Sequence, residues 1–266
     1  MADVMEERVR SIGLTAGICF VGGALLLALS IVLYPSLPPA NETNKILEVL
    51  VRQDAGSWMW LHAFMATGFV LATIGFTALA FLLHLRGSSG AASIASSSAL
   101  VGAALWTAFL TAEFFVHPFI TNLMSVEPGL ATMLFNTYWF WKMGALWFAG
   151  LLLFTAVIAA GSGANARNIL PPWLGLGGPV FAALGILVYL FDFLGATATG
   201  GAINPMRSAF TRYGVGLPLQ IWMLGAGAVL LRDYRDRATV LPPQARTPVP
   251  RREREAPPVP LPPPIP

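Results

Sequence analysis

The sequence predicts an all-α polytopic membrane protein with six transmembrane helices, and three observations carry that expectation. Of 266 residues, 56% are hydrophobic and only 11% charged, against about 25% charged in ordinary soluble domains. Charge is segregated into short stretches between apolar runs and into the last 35 residues. Six apolar runs each approach the roughly 20 helical residues needed to cross a hydrocarbon core about 30 Å thick. The single Cys19 lies inside the first run, which excludes a disulfide framework or a cysteine-rich metal site within one chain. The pI near 9.4 comes from loop and tail arginines, so membrane topology explains it and no nucleic-acid partner is expected.

The spans are expected near 12–34, 58–83, 93–117, 138–160, 173–194 and 214–231. Arg8 and Arg10 precede the first, as in a signal peptide. Its apolar run of about 20 residues exceeds the roughly 7–15 of a signal core. It also closes in LYPSLPP rather than in an AxA-like site, so it reads as a retained helix. The third span runs into TAEFFVHPFI, where Pro118 is expected to end the helix just after His117. The last span is the shortest and carries Pro218 near its start, where proline is tolerated.

Six spans put both termini on one side. That side holds Arg8, Arg10, Arg86, Arg167 and seven arginines between Arg232 and Arg254, eleven basic residues against Lys45, Arg52, Arg207 and Arg212 opposite. The excess places the N- and C-termini in the cytoplasm of a multi-pass cell-membrane protein. The cytoplasmic connections LRGSSGAAS and GSGANARNILPP are short turns. The outer ones are longer, and ETNKILEVLVR sets Ile46, Leu47, Leu50 and Val51 on one helical face, as an interfacial helix would. MSVEPGLATMLFNTY (124–138) reads as a second such segment. The domain organisation is thus a bundle over 1–231 and a tail over 232–266. The tail carries half of the arginines and eleven of the 21 prolines, and it is expected to be disordered or polyproline II. Its PxxP-like spacing would suit a proline-binding partner.

The second span opens SWMWLHAF, the fourth YWFWKMGAL and the sixth LPLQIWMLGAG. That likeness fits three tandem helix hairpins, although interfacial aromatics collect this way in any membrane protein.

Ionisable residues inside spans are costly and therefore informative. His62, Glu113, His117, Lys142 and Asp192 all fall in the outer third of the expected membrane. Glu113 and His117 share a helix face one turn apart. Lys142 is the expected partner of Glu113, with His62 second. Together with Trp60, Trp141 and the rings of Trp58, Trp106, Phe114 and Trp139, these residues would line an outward polar and aromatic pocket for a small amphipathic ligand. The bland alternative is an interhelical ion pair with side chains reaching the interface. His62 and His117 are also the only candidates for axial ligands of a b-type haem, and with Glu113 they form a conceivable zinc set. No cofactor is expected from the sequence as a whole, and GxSxG, Walker and dinucleotide motifs are missing.

The order LYPSLPP, an amphipathic segment, W-x-x-x-H (Trp58 to His62), AEFFVHP and the closing LGAGAVLLRDYR resembles uncharacterised bacterial six-helix integral membrane proteins, over about residues 12–235. The resemblance implies the fold and no activity. The expectation is a non-enzymatic protein, either an accessory subunit of a membrane complex or a binder of a small amphipathic molecule. The alternatives are a transporter or channel-like protein and a haem- or quinone-linked redox subunit.

Overall fold

The structure is a computed structural model and describes residues 2–34, 43–52, 55–199 and 216–240. It is all-α. Seven helices follow one another: α1 (Ala2–Leu33), α2 (Thr43–Arg52), α3 (Ala55–Leu85), α4 (Ser89–Val126), α5 (Pro128–Ala166), α6 (Pro172–Thr199) and α7 (Leu217–Val240). Among the described residues five of them, α1, α3, α4, α5 and α6, are long and apolar enough to cross a membrane. The expected sixth span falls on α7. That helix misses the standard because its uncharged stretch ends at Leu231 and Arg232 and Asp233 follow.

The six long helices form a closed ring. α1 packs on α3, α3 on α4, α4 on α5, α5 on α6, and α7 returns to α1. The first two expected hairpins are therefore pairs of neighbours, whereas α7 lies chiefly against α1 and meets α6 over a short seam. The start of α1 and the end of α7 share one face of the bundle, since Gly13 lies against Tyr234 and Gly17 against Leu231. The α3–α4 and α5–α6 turns lie on this termini face too. Both close the preceding helix by the same device. Ser88 N–H bonds the Leu83 carbonyl and Gly87 N–H that of His84, each at 2.9 Å, with Gly87 at φ 76°. Ile169 and Asn168 repeat the pattern on Ala164 and Asn165, with Asn168 at φ 53°. A left-handed residue just past a helix end lets these bonds form, and glycine and asparagine adopt it most readily. Arg167 then donates to the Gly87 carbonyl at 2.6 Å and ties the two turns together.

Three sequence expectations are corrected. Pro118 does not end its helix, and α4 runs on to Val126. A proline inside a helix forfeits one backbone bond, but Ile120 beyond it is buried against α2 and the α4–α5 seam, so packing carries the helix past the break. The segment at 124–138, expected to be interfacial, is instead the end of α4, the single connecting residue Glu127 and the first turns of α5, with Pro128 at the first position of α5. α4 and α5, of 38 and 39 residues, are each about 57 Å long, nearly twice a hydrocarbon core. The tail boundary also moves, because α7 is helical to Val240; residues 241–266 lie outside the described residues. The amphipathic segment at 42–52 does form a helix, α2, and buries Ile46, Leu47 and Leu50 across α4 and α5.

Small residues let the backbones of α1, α3 and α7 meet. A Cβ on Gly23 would come within 2.9 Å of Ala72 N and 3.0 Å of Gly68 O, and one on Gly227 within 2.9 Å of Gly17 O. Apolar helices gain no hydrophobic drive from one another in lipid, so close approach of this kind supplies the dispersion that joins them. Gly144 and Gly177 face open space. Gly23→Val and Gly227→Val are expected to destabilise the protein by about 1–3 kcal/mol each, while Gly144→Ala and Gly177→Ala leave it unchanged or slightly raised. Thermal unfolding in detergent distinguishes the two pairs.

Candidate functional site

Four of the polar side chains singled out from the sequence come together toward the face opposite the termini. Glu113 on α4 and Lys142 on α5 are both buried, and their side chains form an ion pair. Tyr138, one turn before Lys142 on the same face of α5, donates its hydroxyl to the same Glu113 oxygen at 3.0 Å. The Lys142 ammonium also lies 5.0 Å from the centre of the Trp139 ring. Each contact offsets part of the cost of removing two charges from water. Lys142 is thus the partner of Glu113 that depth along the helices suggested.

The histidines are held by backbone. His62 Nδ1 donates to the Trp58 carbonyl one turn earlier, at 2.8 Å, which leaves Nε2 as the lone-pair acceptor of the neutral ring. The ring lies within electrostatic reach of Glu113, Lys142 and His117. His117 Nε2 donates to the Leu50 carbonyl at 2.8 Å. Leu50 is in the last turn of α2, where carbonyls have no partner within the helix. His117 is therefore the C-terminal cap of α2, delivered from another helix, and it is buried within the bundle.

Trp58 packs against both imidazoles, with ring centres 4.3 Å from His62 and 5.6 Å from His117. Its indole occupies the space beside them, and the bonded nitrogens are engaged with carbonyls. Among the described residues no group of three or more His, Cys, Asp or Glu side chains is arranged to hold a metal ion.

Trp60 and Trp141 do not join the site. They are 68% and 70% exposed on the outside of the bundle, while Trp58 and Trp139 are 2% and 1% exposed. Two residues along a helix turn the side chain by about 200°, so each W-x-W places one ring inside and the other toward lipid. Asp192 lies on α6, but its side chain is outside the described residues. The space beside Glu113 and His117, walled by α2, is about 10 Å³, room for roughly one water molecule. The polar cluster is closed on itself.

The larger space lies next to it. A cavity of about 130 Å³ opens in the middle of the ring, walled by all six long helices, among them Leu27, Phe69, Trp106, Val157, Tyr189 and Gln220. Trp106 precedes Glu113 by seven residues, so the cavity sits about 10 Å deeper in the bundle than the ion pair. Among the described residues no charged side chain lines it. Sequence reasoning placed Trp106 on the wall of a pocket but missed Gln220 and the apolar remainder, which carry no signal beyond being hydrophobic. Tyr138 was within reach, since its i, i+4 spacing from Lys142 puts both on one face.

No protein-family model matches the chain, and no curated protein or solved structure matches it.

Removing one member of the ion pair strands the other. Lys142→Met or Glu113→Gln alone is expected to cost about 3–5 kcal/mol, and Glu113→Leu with Lys142→Met to recover most of it; unfolding of the four proteins in one detergent gives the coupling. Separately, His117→Phe uncaps α2. Amide exchange of residues 46–52 is then expected to accelerate while that of α3 does not.

Proposed function

We propose that this chain is a non-enzymatic integral membrane protein that binds a small amphipathic molecule inside its bundle. The observation that carries the reading is the central cavity, walled by six helices and bordered by polar groups without partners. The ligand site expected at the polar cluster thereby moves one helical stretch deeper. The cluster keeps a different role: it fixes α4 to α5 and holds α2 over that end of the bundle. In this reading α7 is the sixth span, its uncharged residues 217–231 lying along α1. Arginines 232, 235 and 237 then mark a cytoplasmic side shared by both termini of a cell-membrane protein.

A second reading, an accessory subunit of a membrane complex, draws on the far end of the α4–α5 hairpin. Val126, Leu130, Met133 and Leu134 are exposed there, on helices much longer than a bilayer requires. A stoichiometric protein partner retained through mild purification would favour it.

The binding reading is tested by reconstituting the protein in nanodiscs and analysing the organic extract by mass spectrometry. One amphiphile near stoichiometric amount is expected, enriched over empty nanodiscs and lost in Val157→Phe, which fills the cavity. An extract identical to that of empty nanodiscs sinks the reading.

A further inference from the structure

The walls of the central cavity specify more than a hydrophobic occupant. Tryptophans elsewhere in the ring find acceptors: the half-buried Trp147 donates to the Tyr189 carbonyl at 3.0 Å and the buried Trp222 to the Leu174 carbonyl at 2.8 Å. Trp106 is only 4% exposed, yet its indole N–H has no partner. Trp58 and Trp139 share that lack but belong to the packed cluster nearer the far face. Trp106 alone of the three borders the cavity. Across the ring on α7, Gln220 lines the same cavity, and its carboxamide oxygen is likewise buried without a donor. Native structures rarely leave such groups unpaired, and a missing ligand is one of the few explanations.

Water does not answer the need well. A buried water requires about two to four polar partners, and cavities walled by apolar side chains stay dry. Here the donor and the acceptor are set among leucine, phenylalanine, methionine and valine side chains. The walls also suit a ring. Phe69 stacks on Trp106 with centres 4.9 Å apart, and Phe154 meets Tyr189 edge-on at 5.1 Å. The volume of about 130 Å³ is close to that of a cavity, about 150 Å³, known to admit benzene. Glu113 and Lys142 are paired with each other and take no part in the lining.

We infer that the cavity binds a compact, neutral phenol- or quinol-type ring that accepts a hydrogen bond from Trp106 and donates one to Gln220. This rests on the proposal that the cavity is the ligand site, and it names the chemistry of the occupant. The indole N–H takes the oxygen lone pair, the carboxamide oxygen takes the hydroxyl proton, and the aromatic walls take the faces of the ring. Among the described residues, nothing in the lining would compensate an anionic or cationic ligand.

Three probes of nearly equal size separate these contributions: 4-fluorophenol donates and accepts, 4-fluoroanisole only accepts, and 4-fluorotoluene does neither. Fluorine NMR titrations in nanodiscs, with empty nanodiscs subtracted for partitioning into lipid, give three affinities. The expected order is phenol, anisole, toluene, each step about three- to tenfold. Gln220→Leu is expected to reduce the phenol to the affinity of the anisole, and Trp106→Phe to bring the anisole down to the toluene. Neither substitution should alter binding of the toluene, which also shows that the variants are folded. Equal affinities for all three probes would leave the cavity as a site but overturn its polar chemistry. No saturable binding of any probe overturns the site itself.

Discussion

Everything on the far side of the ring depends on one buried ion pair. Glu113 and Lys142 lie on α4 and α5, two helices that otherwise meet there through apolar side chains. A charge stranded in hydrocarbon is expensive, so the pair allows only the register in which carboxylate, ammonium and the Tyr138 hydroxyl meet. That register places His117 one turn farther along α4, where its Nε2 reaches the Leu50 carbonyl. Without it α2 would lose its cap and the contacts of Ile46 and Leu47. Trp58 then fills the remaining space between the two imidazoles. An interaction of modest net stability thus acts mainly through specificity.

The cavity lies where close backbone packing and stacked rings adjoin. Gly17 and Gly227 bring the backbones of α1 and α7 to within contact distance, as Gly23 and Gly68 do those of α1 and α3. Toward the far face, Phe69 stacks on Trp106 and Phe135 on Trp139. Proteins in general pack to crystal-like density, so a void at such a junction invites an occupant rather than a collapse.

Much of this was legible from the chain, and the limits have physical causes. Helix positions followed from apolar runs, because lipid forces every backbone polar group into a helix. The Glu113–Lys142 pairing followed from equal depth on adjacent antiparallel helices. Pro118 misled because the cost of a helical proline is local, whereas the burial of Ile120 that overrides it is tertiary. Trp60 and Trp141 misled because depth was used without rotation: rings two residues apart share a level but face opposite ways. Gln220 and the apolar wall could not be read at all. A cavity is a relation among six helices, and no residue lining it needs to be unusual.

The same reasoning assigns different work to two sets of polar groups that the sequence placed together. In the outer cluster carboxylate, ammonium and phenol satisfy one another, and each imidazole is tied to a backbone carbonyl. A ligand entering there would have to break bonds already made in a space of about 10 Å³. Trp106 and Gln220 are the opposite case, since a ligand there completes bonds that the protein leaves open. Conspicuous charge marks where the bundle is braced. The quieter unpaired groups beneath it mark where a molecule would be held.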